Sequence, residues 1–168
     1  MPELWDILDE NGNKTGRLQE RGKTMQKGDY HLIVNVWIIN SKGEFLISRR
    51  SKEKNHQWHT TGGCVTAGED SLTGALREVQ EEIGITLDPN NGQHFKRISG
   101  RHVNDDGSYF VDAWLFRQEV DIDMVVFQVE EICDAMWASE AKIQEMKADD
   151  RWAFDYEYME ELLDLCRT

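Results

Sequence analysis

Residues 63–85 read Gly63-Cys-Val-Thr-Ala-Gly-Glu69-Asp-Ser-Leu-Thr-Gly-Ala-Leu-Arg77-Glu78-Val-Gln-Glu81-Glu82-Ile-Gly84-Ile85, and their spacing decides the fold. At about 100° per residue the second half forms a helix. Leu72, Ala75, Leu76, Val79 and Ile83 then share an arc of about 100°, the width of a core-facing stripe. Glu78, Glu81 and Glu82 fill a second arc beside the first rather than opposite it. Arg77 lies on the far edge of that acidic arc, one turn before Glu81. Asp70 or Ser71 can cap the N-terminus, and Gly84 follows the last periodic residue as a C′ glycine.

Three carboxylates along one helix edge repel one another by a few tenths of a kcal/mol per i,i+4 pair even when exposed. Such a run is ordinarily a solvated face. Here it borders the apolar stripe, a glycine-containing loop leads into it, and Glu69 at the loop–helix junction can add a fourth carboxylate. That arrangement suits a hard divalent cation, which takes carboxylate and carbonyl oxygens and retains waters.

The spacing Gly63, five residues, Glu69, seven residues, then Arg77-Glu-Val-Gln-Glu-Glu-Ile-Gly-Ile85 resembles the Nudix box, with every specified position filled. The resemblance implies a magnesium or manganese ion and cleavage of a diphosphate joined to another moiety. It also implies that Glu78, Glu81 and Glu82 are metal ligands, that Glu69 and Arg77 hold the carboxylates in place, and that the Gly63 carbonyl completes the coordination. The expected architecture is the α/β/α sandwich with a central mixed β-sheet around the box loop-helix-loop.

Composition limits the alternatives. A chain of 168 residues with 39% hydrophobic and 10% aromatic residues reads as one folded domain, 1–168. A formal charge of −13 opposes non-specific binding to nucleic acid backbone. A phosphate substrate would then depend on the metal and a few nearby cations. Cys64, Cys133 and Cys166 form no Cys-x-x-Cys pair and read as reduced thiols. The N-terminus lacks a signal-like apolar core, and the most apolar run, 32–39, is too short to cross a membrane. The expectation is a soluble cytoplasmic protein.

Leu4 to Asp9 and Lys14 to Gln19 read as a hairpin across Glu10-Asn-Gly-Asn13, within an N-terminal unit at 4–20. His31 to Ile39 reads as a buried central strand, and Glu44 to Arg50 returns beside it. A second resemblance, over roughly residues 4–63, is to the isopentenyl-diphosphate isomerase branch of the superfamily. Its chemistry needs a cysteine where Gly63 stands and a histidine where Val65 stands, so the isomerase is read as a relative. Isomerisation of a prenyl diphosphate, and a non-catalytic nucleotide-binding regulator, are the alternatives to hydrolysis.

Arg49 and Arg50 close the strand that leads to the box and are the candidate phosphate ligands. Alternation sends them to opposite faces, and Arg50 is favoured by its resemblance to the arginine closing this strand in related proteins. Trp58 reads as core or wall. The histidines show no metal-ligand spacing; His31 and His102 lie near strand ends. Phe95 to His102 and Ser108 to Glu119 form a strand pair whose facing the sequence does not assign. In the segment before Trp137, Glu131 resembles the glutamate that serves many Nudix enzymes as a further ligand or as base for water, with Glu130 the alternate. Helices are expected at 139–147, capped by Ser139, and at 155–167, capped by Asp155, with Trp152 and Phe154 anchoring the second. The hairpin or a free strand edge could join two copies as a homodimer.

Overall fold

The computed structural model describes residues 1–167; Thr168, the end of the expected domain 1–168, lies outside the described residues. The first strands are β1 (Leu4–Leu8), β2 (Lys14–Glu20), β3 (Tyr30–Ile39) and β4 (Phe45–Arg50). Two short strands, β5 (Trp58–His59) and β6 (Thr61–Cys64), lead into helix α1 (Ser71–Ile83). The chain continues through β7 (Gly92–Arg101), β8 (Ser108–Arg117), β9 (Ile132–Ala138), α2 (Glu140–Ala148) and α3 (Met159–Cys166).

β3 organises the mixed sheet. It runs parallel to β8 from Tyr30↔Ser108 to Ile39↔Arg117 and antiparallel to β6 over Ile33–Val36. β4 pairs antiparallel with β5 and β9, and β7 extends the far side through β8. Each strand of β3 and β8 must therefore bury both faces, which accounts for their near-continuous apolar runs.

The pleat divides those runs between two cores. Val34, Val36 and Ile38 pack with Ala75, Val79 and Ile83 of α1. Trp37 and Ile39 pack with Ile143 and Met146 of α2 and with Met159, Leu162 and Leu163 of α3. β8 divides likewise, with Ala113 and Leu115 toward α2 and α3, and Trp114 and Phe116 toward α1. Each fully buried aliphatic side chain contributes about 1.5–3 kcal/mol, so both faces hold α helices on the sheet. This is the α/β/α sandwich. Asp112, 1% exposed in β8, is satisfied by Arg97 at 2.6 Å and His94 at 2.9 Å.

Asp70 caps α1, accepting from the Thr73 N–H at 2.8 Å, and Gly84 closes it in the left-handed region at φ 69°. Ser71 instead accepts from the Trp114 indole at 2.8 Å. The last helix starts at Met159, later than the sequence reading. Asp150 (φ 57°) and Phe154 (φ 58°) hold left-handed backbone. Asp155 pairs with Lys147 at 3.0 Å instead of capping, and the Tyr156 N–H donates to the Phe154 carbonyl at 2.9 Å, a tight turn that delays the helix. Trp152 anchors it at 6% exposure, but Phe154 is 49% exposed and does not.

Candidate active site

β6 and the loop after it deliver the chain to α1 so that the acidic edge of the helix faces a cleft of about 610 Å³. Gly62, Gly63 and Cys64 line it beside Glu78, Glu81 and Glu82, and so do Arg50 at the end of β4, Lys54 in the turn that follows and Glu131 just before β9.

Arg77 holds the acidic group together. Its Nε and Nη2 donate to Glu69 at 2.8 and 2.9 Å, its Nη1 to Glu78 and Glu81 at 3.1 Å each, and its Nη2 to the Cys64 carbonyl at 3.0 Å. Burial would raise the Glu69 carboxyl, but hydrogen bonds from Arg77 and Thr66 outweigh it and hold it at about 2. Glu69 is thereby a fixed anion that orients the arginine fork.

Glu78 and Glu82 differ. Burial, only partly opposed by Arg77, pushes Glu78 to about 7. Burial, then the charges of Glu78 and Glu131, pushes Glu82 to about 8. Glu82 is 7% exposed, and its Oε2 is buried with no hydrogen-bond partner among the described residues. A buried carboxylate oxygen without a donor is costly, and a cation in the cleft would offset that cost. The Glu78 carboxylate lies against Gly63 so closely that a Cβ there would meet its Cδ at 2.4 Å. Among the described residues no three His, Cys, Asp or Glu side chains already converge as a metal cage. Arg77 sits between Glu78 and Glu81 and takes an oxygen of each. The orphaned oxygen on Glu82, the close-set Glu78, the half-exposed Glu81 and the nearby backbone at Gly63 are all oxygen donors, the chemistry a hard divalent cation takes.

The two arginines ending β4 part as alternation requires. The Arg49 Nε donates to the His56 carbonyl at 2.9 Å, with its guanidinium 5.8 Å from the Trp58 ring centre. Arg50 lines the cleft, lies 5.0 Å over the Phe154 ring, and has no carboxylate partner among the described residues. Glu131 lines the cleft, paired with Lys54 at 2.9 Å, whereas Glu130 is exposed. Ser51 binds the backbone carbonyls of both. Trp58 is buried in the core. His31 and His102 lie 2.9 Å apart, Nε2 to Nε2, and do not line the cleft. Cys64 does line it, and burial pushes its thiol up to about 12.

Sequence reasoning missed several lining residues: Glu3 and Arg21 from the hairpin, Asn35 and Thr60, and Phe154 and Tyr156. Glu3 and Arg21 pair at 2.8 Å, and Thr60 hydrogen-bonds Asn35. None belongs to a spaced motif. The signal available was the run of aromatics Trp152, Phe154, Tyr156 and Tyr158 at alternate positions.

A mixed sheet between helices, with an arginine-bound carboxylate cluster on the helix facing the cleft, defines a Nudix-type site. Residues 29–162 match the NUDIX domain model, and the chain belongs to the Nudix hydrolases. An uncharacterised Nudix hydrolase of Listeria monocytogenes is 31% identical over 167 residues, covering 97% of this chain and 95% of that protein. A crystal structure of a Deinococcus radiodurans protein superposes with a TM-score of 0.70 at 21% identity, covering 99% of this chain and all of that one. The Nudix domain of Shewanella oneidensis NrtR, solved with ADP ribose, superposes with a TM-score of 0.62 at 16% identity, covering 88% and 90%. Nudix hydrolases generally cleave pyrophosphate bonds and generally use divalent metal ions. Among the described residues no helix is long and apolar enough to cross a membrane.

Proposed function

We propose that this chain hydrolyses the diphosphate of a nucleoside diphosphate derivative or a similar small organic pyrophosphate, using magnesium or manganese. What supports the reading is the buried oxygen of Glu82 on the acidic edge of α1, unpartnered among the described residues, in one cleft with Arg50, which has no carboxylate partner among those residues. Glu78, Glu81, Glu82 and the Gly63 carbonyl would hold the ion. When bound, it neutralises non-bridging phosphate oxygens and makes water more acidic.

The chain's own residues do the rest. Arg77, locked by Glu69, keeps Glu78 and Glu81 aimed at the cleft. Arg50 grips a terminal phosphate through its planar fork. Glu131 orients the attacking water and accepts its proton, held in place by its ion pair with Lys54. Glu81 and Glu82, in the same cleft, are the alternative proton acceptors. With a net charge of −13, attraction for an anionic substrate must be local. The ADP ribose bound by the NrtR domain is a ligand of the chemistry this reading requires.

The test is phosphate or pyrophosphate release from nucleoside diphosphate sugars, dinucleotides, nucleoside triphosphates and prenyl diphosphates. Glu82→Gln, which keeps shape and removes charge, should leave the fold intact and lower turnover by at least about a hundredfold. Wild-type rates in that variant would remove the assignment, and double-bond migration in a prenyl diphosphate would replace hydrolysis with isomerisation.

A further inference from the structure

The stretch between α2 and α3 is pinned to β5 on both sides of Trp152. The Trp58 N–H donates to the Arg151 carbonyl and the Ala153 N–H to the Trp58 carbonyl, each at 2.8 Å. Trp152 and Ala153 are buried; the next residue, Phe154, turns into the cleft. It does so at φ 58°, a conformation that glycine adopts freely and that is a genuine outlier for a bulky side chain. Its ring is 49% exposed and stands outside both buried cores. Packing therefore does not account for a phenylalanine at this position.

Behind it the aromatics form a ladder. Phe154 and Tyr156 lie 6.2 Å apart at 18°, and Tyr156 and Tyr158 lie 5.5 Å apart at 13°. The buried Tyr158 hydroxyl accepts from the Trp37 indole at 2.9 Å. Near-parallel planes at 6.2 Å mean offset rings, so Tyr156 braces Phe154 without closing its face. The Arg50 guanidinium, 5.0 Å from the ring centre, joins this shelf to the phosphate end of the cleft. The guanidinium lies over the ring, His59 sits 6.1 Å from it at 49° and half of the side chain stays exposed, so a planar π-system can lie against the exposed part of the ring and the guanidinium together.

We infer that Phe154, braced by Tyr156, is the specificity-determining residue that stacks a nucleobase carried at the far end of the diphosphate. The inference rests on the diphosphate reading of the same cleft. It requires that the substrate's second moiety be flat and aromatic, not a flexible alkyl chain.

The test is equilibrium binding of adenosine 5′-(α,β-methylene)diphosphate and of methylenediphosphonate, which lacks the nucleoside, to the full chain with magnesium. Phe154→Leu keeps apolar bulk but loses the flat face; Phe154→Gly loses the ring and relieves the left-handed backbone. Both variants should bind the nucleoside analogue about tenfold more weakly and the bare diphosphonate as wild type does. Unchanged nucleoside binding in folded variants would overturn the inference. So would equal weakening of both ligands, or a wild type with no preference for the nucleoside. Phosphate release is scored separately. A wild type that shows the Phe154-dependent preference but hydrolyses no diphosphate would sink the hydrolase reading alone. Hydrolysis indifferent to Phe154 would sink this one alone.

Discussion

Gly63→Ala adds a single methyl at the mouth of the candidate metal site. The backbone there is not left-handed, so alanine is tolerated conformationally and costs the unfolded chain freedom. The new Cβ would stand 2.4 Å from the Glu78 Cδ and 2.5 and 2.6 Å from its two oxygens, where ordinary contact begins at 3.4 Å. The obstacle is the far end of a flexible side chain, so the carboxylate moves, by about 1 Å, and the backbone stays. A displacement of that size in a positioned catalytic group can cost about a hundredfold in rate. The expected result is a melting temperature within a few degrees of wild type and a kcat/KM roughly a hundredfold lower. Gly62→Ala is the contrast: its Cβ would meet the Val34 carbonyl oxygen, a backbone atom of β3, at 2.3 Å. That variant should lose stability first. Normal activity in folded Gly63→Ala would show that the position of the Glu78 carboxylate does not matter to catalysis; equal destabilisation of both variants would show that the backbone, not the carboxylate, yields.

Arg50→Ala should raise KM about tenfold or more, the loss of a charge-assisted contact of about 1.5–3 kcal/mol. Arg49→Ala should leave KM unchanged and act on stability through His56 and Trp58; steady-state kinetics on both separates them. The His31 imidazole, 1% exposed, is held neutral with its pKa lowered to about 4 by burial, then by His102 and Arg21, with Asp105 opposing. The unfolded state takes up a proton below its ordinary value of 6.5 while the fold does not. This contribution to stability is therefore complete above pH 6.5 and falls as pH drops toward 4, by about 3 kcal/mol. Urea unfolding at both ends of that window should give a steeper loss in wild type than in His31→Gln; identical slopes would contradict it.

The helix at the heart of the site was legible because its signals are local. Cap, stripe, acidic edge and terminal glycine lie within one short segment, and each is set by helical period alone. The division between Arg49 and Arg50 was legible for the same kind of reason, strand alternation. Phe154 was not. Its role comes from two left-handed residues and from docking of Trp152 against β5, contacts between segments far apart in sequence. Facing along β8 was hidden because both of its faces are buried, and only β3 and the helices on each side decide which side chain goes where. His31 and His102 meet across 71 positions, a distance no spacing rule spans.

Titrating the protein with manganese while recording heat or the metal's paramagnetic signal asks whether the acidic edge of α1 holds a divalent cation, as proposed. Wild type should bind the ion at a saturable site that Glu82→Gln weakens at least tenfold while its circular dichroism and melting temperature stay those of the native fold. Undiminished manganese binding in Glu82→Gln, or no saturable binding in wild type, would rule this metal site out.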